Sequence, residues 1–144
     1  MPTDVLEKRP FVYVLDEPAR LLVVDDDPII REFASVYLST PVVEVTTAED
    51  GRDGYDRLVG GGFDLVLCDL DMPRVSGFEF ISLVRATPGF EALPIVVATG
   101  REDIDSIDAA YRAGATSFVT KPLNWRLLSY QIRYVLRASR GRAG

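Results

Sequence analysis

A chain of 144 residues with 47% hydrophobic content suits a single domain with one core, large enough to fold without staples. The net charge of −6 argues against nucleic-acid or anionic-membrane binding, and the absence of histidine removes Ser-His-Asp and Cys-His nucleophile systems and His-ligated zinc or haem. No apolar run approaches transmembrane length, no basic start leads a signal-like apolar stretch, and the single cysteine, Cys68, reads as a small buried hydrophobe in a reducing, cytoplasmic setting.

In chain order, residues 1–19 read as an N-terminal extension. Met1 to Pro10 is polar, and Phe11 to Leu15 has strand character before Asp16-Glu17-Pro18. Too little chain separates Leu15 from Leu21 for a crossover helix, which takes a dozen or more residues. The segment is therefore an added edge strand or an arm that packs on a partner. Leu21 to Val24 is an apolar strand ending in Asp25-Asp26-Asp27-Pro28, where Asp27 suits an N-cap and Pro28 the first helical turn. Ile30, Phe33, Ala34 and Tyr37 carry helical spacing to about Leu38.

Val42 to Thr46 is the second strand. Thr47, with Asp50 three residues later, resembles a capping box opening a helix to about Val59, with Tyr55, Leu58 and Val59 as its apolar face. Gly60-Gly61-Gly62 ends it as a flexible turn. Phe63 to Cys68 is the third strand, Asp69 to Gly77 a loop, and Phe78 to Arg85 a helix. Ile95 to Ala98 is the fourth strand, closing at Thr99-Gly100. Ile104, Ile107 and Tyr111 line the next helix, which Gly114 ends. Thr116 to Val119 is the fifth strand, ending at Thr120-Lys121-Pro122. Asn124 caps a last helix whose inner face is Leu128, Ile132 and Val135 and whose surface carries Arg126, Arg133 and Arg137.

Five strands alternating with five helices imply an α/β fold, a parallel sheet with helices on both faces. In such a sheet the carboxyl ends of the strands share one edge, where ligands collect. Asp25, Asp26, Asp69, Thr99 and Lys121 all lie at strand ends. Each alone has a plain explanation as cap, turn or surface charge; four strand ends together do not. Close carboxylates raise one another's pKa unless a cation is present. Oxygen-only ligands without His or Cys select Mg²⁺ over zinc. Lys121 and Thr99, with backbone N–H groups near Gly100 and Leu70, then address the oxygens of a transferring phosphoryl group. Asp69 is the candidate nucleophile.

The ordered motifs LLVVDDDP, FDLVLCDLDMPRVSGFEF, PIVVATG and AGATSFVTKP resemble the receiver domain of bacterial two-component response regulators. The resemblance covers about Leu21 to Arg137 and places a domain at residues 20–138, with 139–144 a tail or the start of a linker. It implies a flavodoxin-like (CheY-like) doubly wound sheet in strand order 2-1-3-4-5, an order carried over from the family. It implies phosphorylation of Asp69 by a partner phosphohistidine on a sensor histidine kinase or histidine phosphotransfer protein. Asp25, Asp26, Asp69 and the backbone carbonyl of Asp71 would hold Mg²⁺, with Mn²⁺ as a substitute. Thr99 matches the switch hydroxyl, Phe118 the aromatic that follows it, Lys121 the phosphate-pairing lysine, and Gly77 the turn glycine of the active-site loop. The Lys121–Pro122 bond is expected to be cis. Departures are Asp71, a fourth carboxylate, Arg101, and Gly100 in place of a more usual Ala. The domain would itself be no enzyme beyond self-catalysed phosphorylation and dephosphorylation.

The last helix resembles the linkers of regulators that make or degrade cyclic diguanylate, which implies an output domain C-terminal to this chain; the alternative is a single-domain regulator. A homodimer would use the fourth helix, fifth strand and fifth helix, the family's usual face. Two other readings compete. Asp69-Leu70-Asp71 also resembles the paired-Asp motif of haloacid-dehalogenase-type phosphatases, although Pro73 stands where Thr or Val is usual and Asp25-Asp26 would then have no role. A pseudo-receiver that only binds proteins would need no Mg²⁺.

Overall fold

In a computed structural model that describes residues 13–143, the chain forms β1 (Ala19–Val24), α1 (Pro28–Leu38), β2 (Val43–Ala48), α2 (Gly51–Val59), β3 (Leu65–Cys68), α3 (Gly77–Ala86), β4 (Ile95–Thr99), α4 (Ile104–Ala113), β5 (Ser117–Thr120) and α5 (Trp125–Ala143). The sheet is wholly parallel in the order β2-β1-β3-β4-β5. Among the described residues, no helix is long and apolar enough to cross a membrane.

Every side chain of β3 and β4 is buried, and in β1 all but Arg20. Successive strand residues point to opposite faces, so the sheet divides the core expected from chain length into two. Leu21, Val23, Leu65, Leu67 and Val96 pack with Ala34 and Leu38 of α1 and Leu128, Ile132 and Leu136 of α5. Leu22, Val24, Val66, Cys68 and Val97 pack with Leu58 of α2, Phe80, Ile81 and Val84 of α3 and Ala110 of α4.

Several boundaries differ from the sequence reading. β2 runs on to Ala48 because it stays paired with β1 as far as Val24. Thr47 is therefore a strand residue, and Asp50 is the N-cap of α2, its side chain accepting from the Asp53 N–H at 2.8 Å. Phe63 and Asp64 precede β3; the Asp64 carboxylate accepts from the Arg20 backbone N–H at 2.8 Å instead. The apolar spacing on the helices overstated what is buried. Phe33 and Tyr37 are exposed and pack on Trp125 of α5, with Tyr37 stacked on it at 5.8 Å. Val59, Ile104 and Tyr111 also face outward, while the small Ser106 and Ala110 fill the inner face of α4. Short helices laid against a sheet bury a narrow stripe, and the flanking apolar residues stay at its rim.

The edge strand considered for Phe11 to Leu15 is not formed over Tyr13 to Leu15; Phe11 and Val12 lie outside the described residues. Leu15 is buried in the core beside α1 and α5. Its neighbours are tied to α5: Glu17 pairs with Arg137 at 3.0 Å, and the Pro18 carbonyl accepts from Arg140 at 2.6 Å. α5 itself is unbroken across residues 138 and 139.

Among the described residues, Phe80 is the largest wholly buried side chain. Phe80→Ala is expected to destabilise the fold by about 3–5 kcal/mol, read as a lower urea midpoint at unchanged slope.

Candidate functional site

The strand register aligns Val24 with both Ala48 and Cys68, and Thr99 with Thr120. The residues that follow or end these strands therefore meet at one edge. Asp25 is buried, and its backbone N–H donates to the Ala48 carbonyl at 3.1 Å. Its Oδ1 accepts from the Asp27 N–H at 2.9 Å, and its Oδ2 from Lys121 Nζ at 2.8 Å. Asp69 is also buried; its N–H donates to the Val24 carbonyl at 3.0 Å, and its Oδ1 accepts from the Leu70 N–H at 2.8 Å. Lys121 Nζ lies 3.6 Å from Asp69 Oδ2, so one ammonium serves both buried carboxylates. Lys121 is itself placed by its N–H, which donates to the Thr99 carbonyl at 2.9 Å, and the Lys121–Pro122 bond is cis.

Asp26 is exposed, yet Asp25, Asp26 and Asp69 each offer a carboxylate oxygen within 4.8 Å of the others. Three carboxylates against one ammonium leave the pocket net negative, and the donors are all oxygen. This set fits a hard divalent cation. Burial pushes the Asp69 carboxyl above the ordinary range; Lys121 opposes the rise and Asp25 adds to it. Burial, with Asp69 and Asp25 behind it, also drives the Cys68 thiol far up, so Cys68 is no nucleophile here; its Sγ donates to the Asp69 carbonyl at 3.1 Å. Burial alone would lower the Lys121 ammonium, but the Asp25 hydrogen bond and charge hold it above its usual value.

Thr99 is fully buried at the end of β4, while Gly100 beside it is exposed. Phe118 is half-buried on β5, its ring 6.5 Å from that of Tyr111. The Asp71 side chain stands apart from the acid cluster. Arg101 Nε reaches its two oxygens at 3.0 and 3.1 Å, a pair that holds the Asp71 carboxyl below the ordinary range. The Arg101 guanidinium also lies 5.5 Å from the Phe78 ring centroid. Gly77 opens α3 directly against the preceding loop: its N–H donates to the Leu70 carbonyl at 3.0 Å, and a Cβ there would collide with the Asp69 carbonyl.

The sequence reading missed two parts of this site. Arg31 donates to the Asp25 carbonyl at 2.8 Å. Arg74 pairs with the buried Asp50. The only signal for the second was Asp50 itself, there read as the N3 partner in a capping box and not as the N-cap.

The sequence profile of the response regulator receiver domain matches residues 21–133. The chain belongs to that family. The receiver domain is 37% identical over 120 residues to response regulator MprA of Mycolicibacterium vanbaalenii, covering 83% of this chain and 51% of that protein. It is 35% identical over 117 residues to transcriptional regulatory protein AfsQ1 of Streptomyces coelicolor, covering 81% and 51%. It thus spans about half the length of these relatives. Chemotaxis protein CheY4 of Vibrio cholerae superposes with a TM-score of 0.78 at 32% identity, covering 82% of this chain and 98% of that one. The receiver domain is therefore a signalling module of two-component systems, with the flavodoxin-like CheY fold.

A carboxyl whose pKa is raised on folding binds its proton more tightly in the native state. Its penalty on stability grows as pH rises from the ordinary aspartate value, about 3.9, through the raised value, and is complete above it. Asp69→Asn removes that penalty. The variant is expected to melt above the wild type near neutral pH without metal, and the gap to close on acidification; a variant melting lower at neutral pH would contradict this.

Proposed function

We propose that this receiver domain accepts a phosphoryl group on Asp69 from a phosphohistidine of a sensor histidine kinase or histidine phosphotransfer protein. The observation that carries the reading is the single ammonium of Lys121 held within reach of two buried carboxylates, Asp25 and Asp69. A carboxylate oxygen of Asp69 attacks phosphorus as the P–N bond breaks, and the electron pair stays with the imidazole nitrogen. The chain has no histidine, so the donor comes from outside. Lys121, within reach of Asp69, would pair with the phosphoryl oxygens. The Thr99 hydroxyl and the backbone N–H groups after Asp69 and Thr99 supply further donors.

Asp25, Asp26, Asp69 and the backbone carbonyl of Asp71 would hold Mg²⁺, with Mn²⁺ as a substitute. A bound Mg²⁺ would offset the clustered negative charge and withdraw charge from the phosphoryl oxygens. Phosphorylation adds charge and acceptor oxygens beside Thr99. Thr99 then moves toward the new group and Phe118 turns inward, selecting a pre-existing arrangement of α4, β5 and α5. That face is the expected homodimer surface. Water attack on phosphorus, with Asp69 as leaving group, would reset the domain and release inorganic phosphate.

The relatives are about twice as long, which supports an output domain following α5 in a cytoplasmic regulator. The description of AfsQ1 as a transcriptional regulatory protein favours a transcription-regulating output over the cyclic-diguanylate type.

Incubation with a small phosphoryl donor is expected to yield one Mg²⁺-dependent adduct by intact mass, absent in Asp69→Ala. The same adduct without Mg²⁺, or on the Asp69→Ala protein, would overturn the assignment. Arg101 occupies the carboxylate of Asp71, two residues beyond Asp69; Arg101→Ala frees that carboxylate to accept a proton from an attacking water and is expected to shorten the adduct's half-life severalfold in a chase experiment.

A further inference from the structure

The corner formed by Ala48, Glu49 and Asp50 joins both halves of the site. The Ala48 carbonyl accepts from the Asp25 N–H at 3.1 Å, so the corner fixes the backbone of the first acid. Two residues on, Asp50 is only 1% exposed. Its Oδ1 accepts from the Asp53 N–H, and the Asp53 carboxylate accepts in return from the Glu49 N–H at 3.1 Å. The remaining oxygen, Oδ2, takes the guanidinium of Arg74.

Arg74 lies in the loop between Asp71 and Gly77. It has φ 65°, and among the described residues it is the only non-glycine with positive φ. A side-chain-bearing residue keeps that conformation only where its surroundings over-determine it. The surroundings here are close on both sides. A Cβ on Gly51, the first residue of α2, would collide with the Val75 carbonyl, and one on Gly77 would collide with the Asp69 carbonyl. The loop is thus held between the start of α2 and the backbone of Asp69, and Arg74 is its ionic tether to α2.

We propose that Arg74 is a positioning residue for phosphoryl acceptance: through Asp50 it holds the Asp71–Gly77 loop in the register that aims Asp69 and the Asp71 carbonyl into the acid pocket. The inference rests on the reading of Asp69 as phosphoacceptor. An exposed ion pair is ordinarily of little consequence for stability, but Asp50 also caps α2, so its one carboxylate ties the start of that helix to the loop. The arrangement acts on geometry, since Arg74 touches none of the reacting atoms.

The test compares wild type, Arg74→Ala, Arg74→Lys, Asp50→Asn, the Arg74→Ala/Asp50→Asn double variant and, as a neighbouring control, Arg52→Ala, whose exposed side chain pairs with Asp56. Each is given a small phosphoryl donor over a range of Mg²⁺ concentrations, and amide exchange is followed without metal. Arg74→Ala is expected to slow adduct formation by on the order of tenfold and to raise the half-saturating Mg²⁺ concentration. Arg74→Lys should recover most of the rate, Arg52→Ala should match wild type, and the double variant should be no slower than either single one. Without metal, the Leu70 and Gly77 amides should exchange faster in Arg74→Ala. If Arg74→Ala loses its far-ultraviolet circular dichroism, Arg74→Gln takes its place. Wild-type rate, Mg²⁺ dependence and exchange in a folded Arg74 variant would overturn the proposal, as would additive losses in the double variant. No adduct on the wild type would instead overturn the phosphoacceptor reading, and this inference with it.

Discussion

Two carboxylates are buried side by side at the carboxyl edge of this sheet, and they share one ammonium. Like charges at about 4 Å repel by roughly 4 kcal/mol at an effective dielectric of about 20. Asp25 and Asp69 are adjacent because β1 and β3 pair in parallel up to Val24 and Cys68. Lys121 arrives from β5, two strands away from β3, and its position depends on β4 through the Thr99 carbonyl. The strand order and the charge balance of the pocket are therefore one constraint: an altered register at either pairing would separate the ammonium from the acids.

The interior of the sheet supports this edge without taking part in its chemistry. β3 and β4 are buried on both faces, so their register is set by two cores at once, and a one-residue slip would exchange every side chain between them. That rigidity lets loops carry the reactive groups with little freedom. The segment after Asp69 is seated against Gly77, the first residue of α2 is seated against Val75, and Asp25 is tied to Ala48 and Arg31. The looser parts lie on the helices, where α4 buries only small side chains and leaves Ile104 and Tyr111 at the surface. An element held by so little packing can shift at low cost, which suits the face proposed to switch.

Much of the acid site was legible in the chain because it is written at strand ends. A buried parallel strand is a short apolar run, and whatever polar residue follows it must sit at the edge; Asp25, Asp69, Thr99 and Lys121 were found in that way. The helix faces were less legible. Phe33, Tyr37 and Ile104 have the spacing of core residues, yet periodicity marks a direction around the helix and not how wide a stripe the sheet will cover. The cap of α2 was misread for a related reason. Thr47 and Asp50 are both competent caps, and only pairing with β1 decides where β2 stops.

The amino-acid sequence by itself determined the alternation of strands and helices, the acidic groups at their ends and the lack of histidine in this chain, because these follow from local pattern and composition. Tertiary structure alone decided that Lys121 serves Asp25 and Asp69 together, that Arg101 takes the Asp71 carboxylate, and that Arg74 closes on Asp50. Lys121 and Asp25 are 96 residues apart in the chain, and Arg101 and Asp71 are 30 apart. Which charges meet over such separations is set by strand order and loop seating, since any arginine or lysine of this chain carries the same charge and only the fold brings one of them within reach.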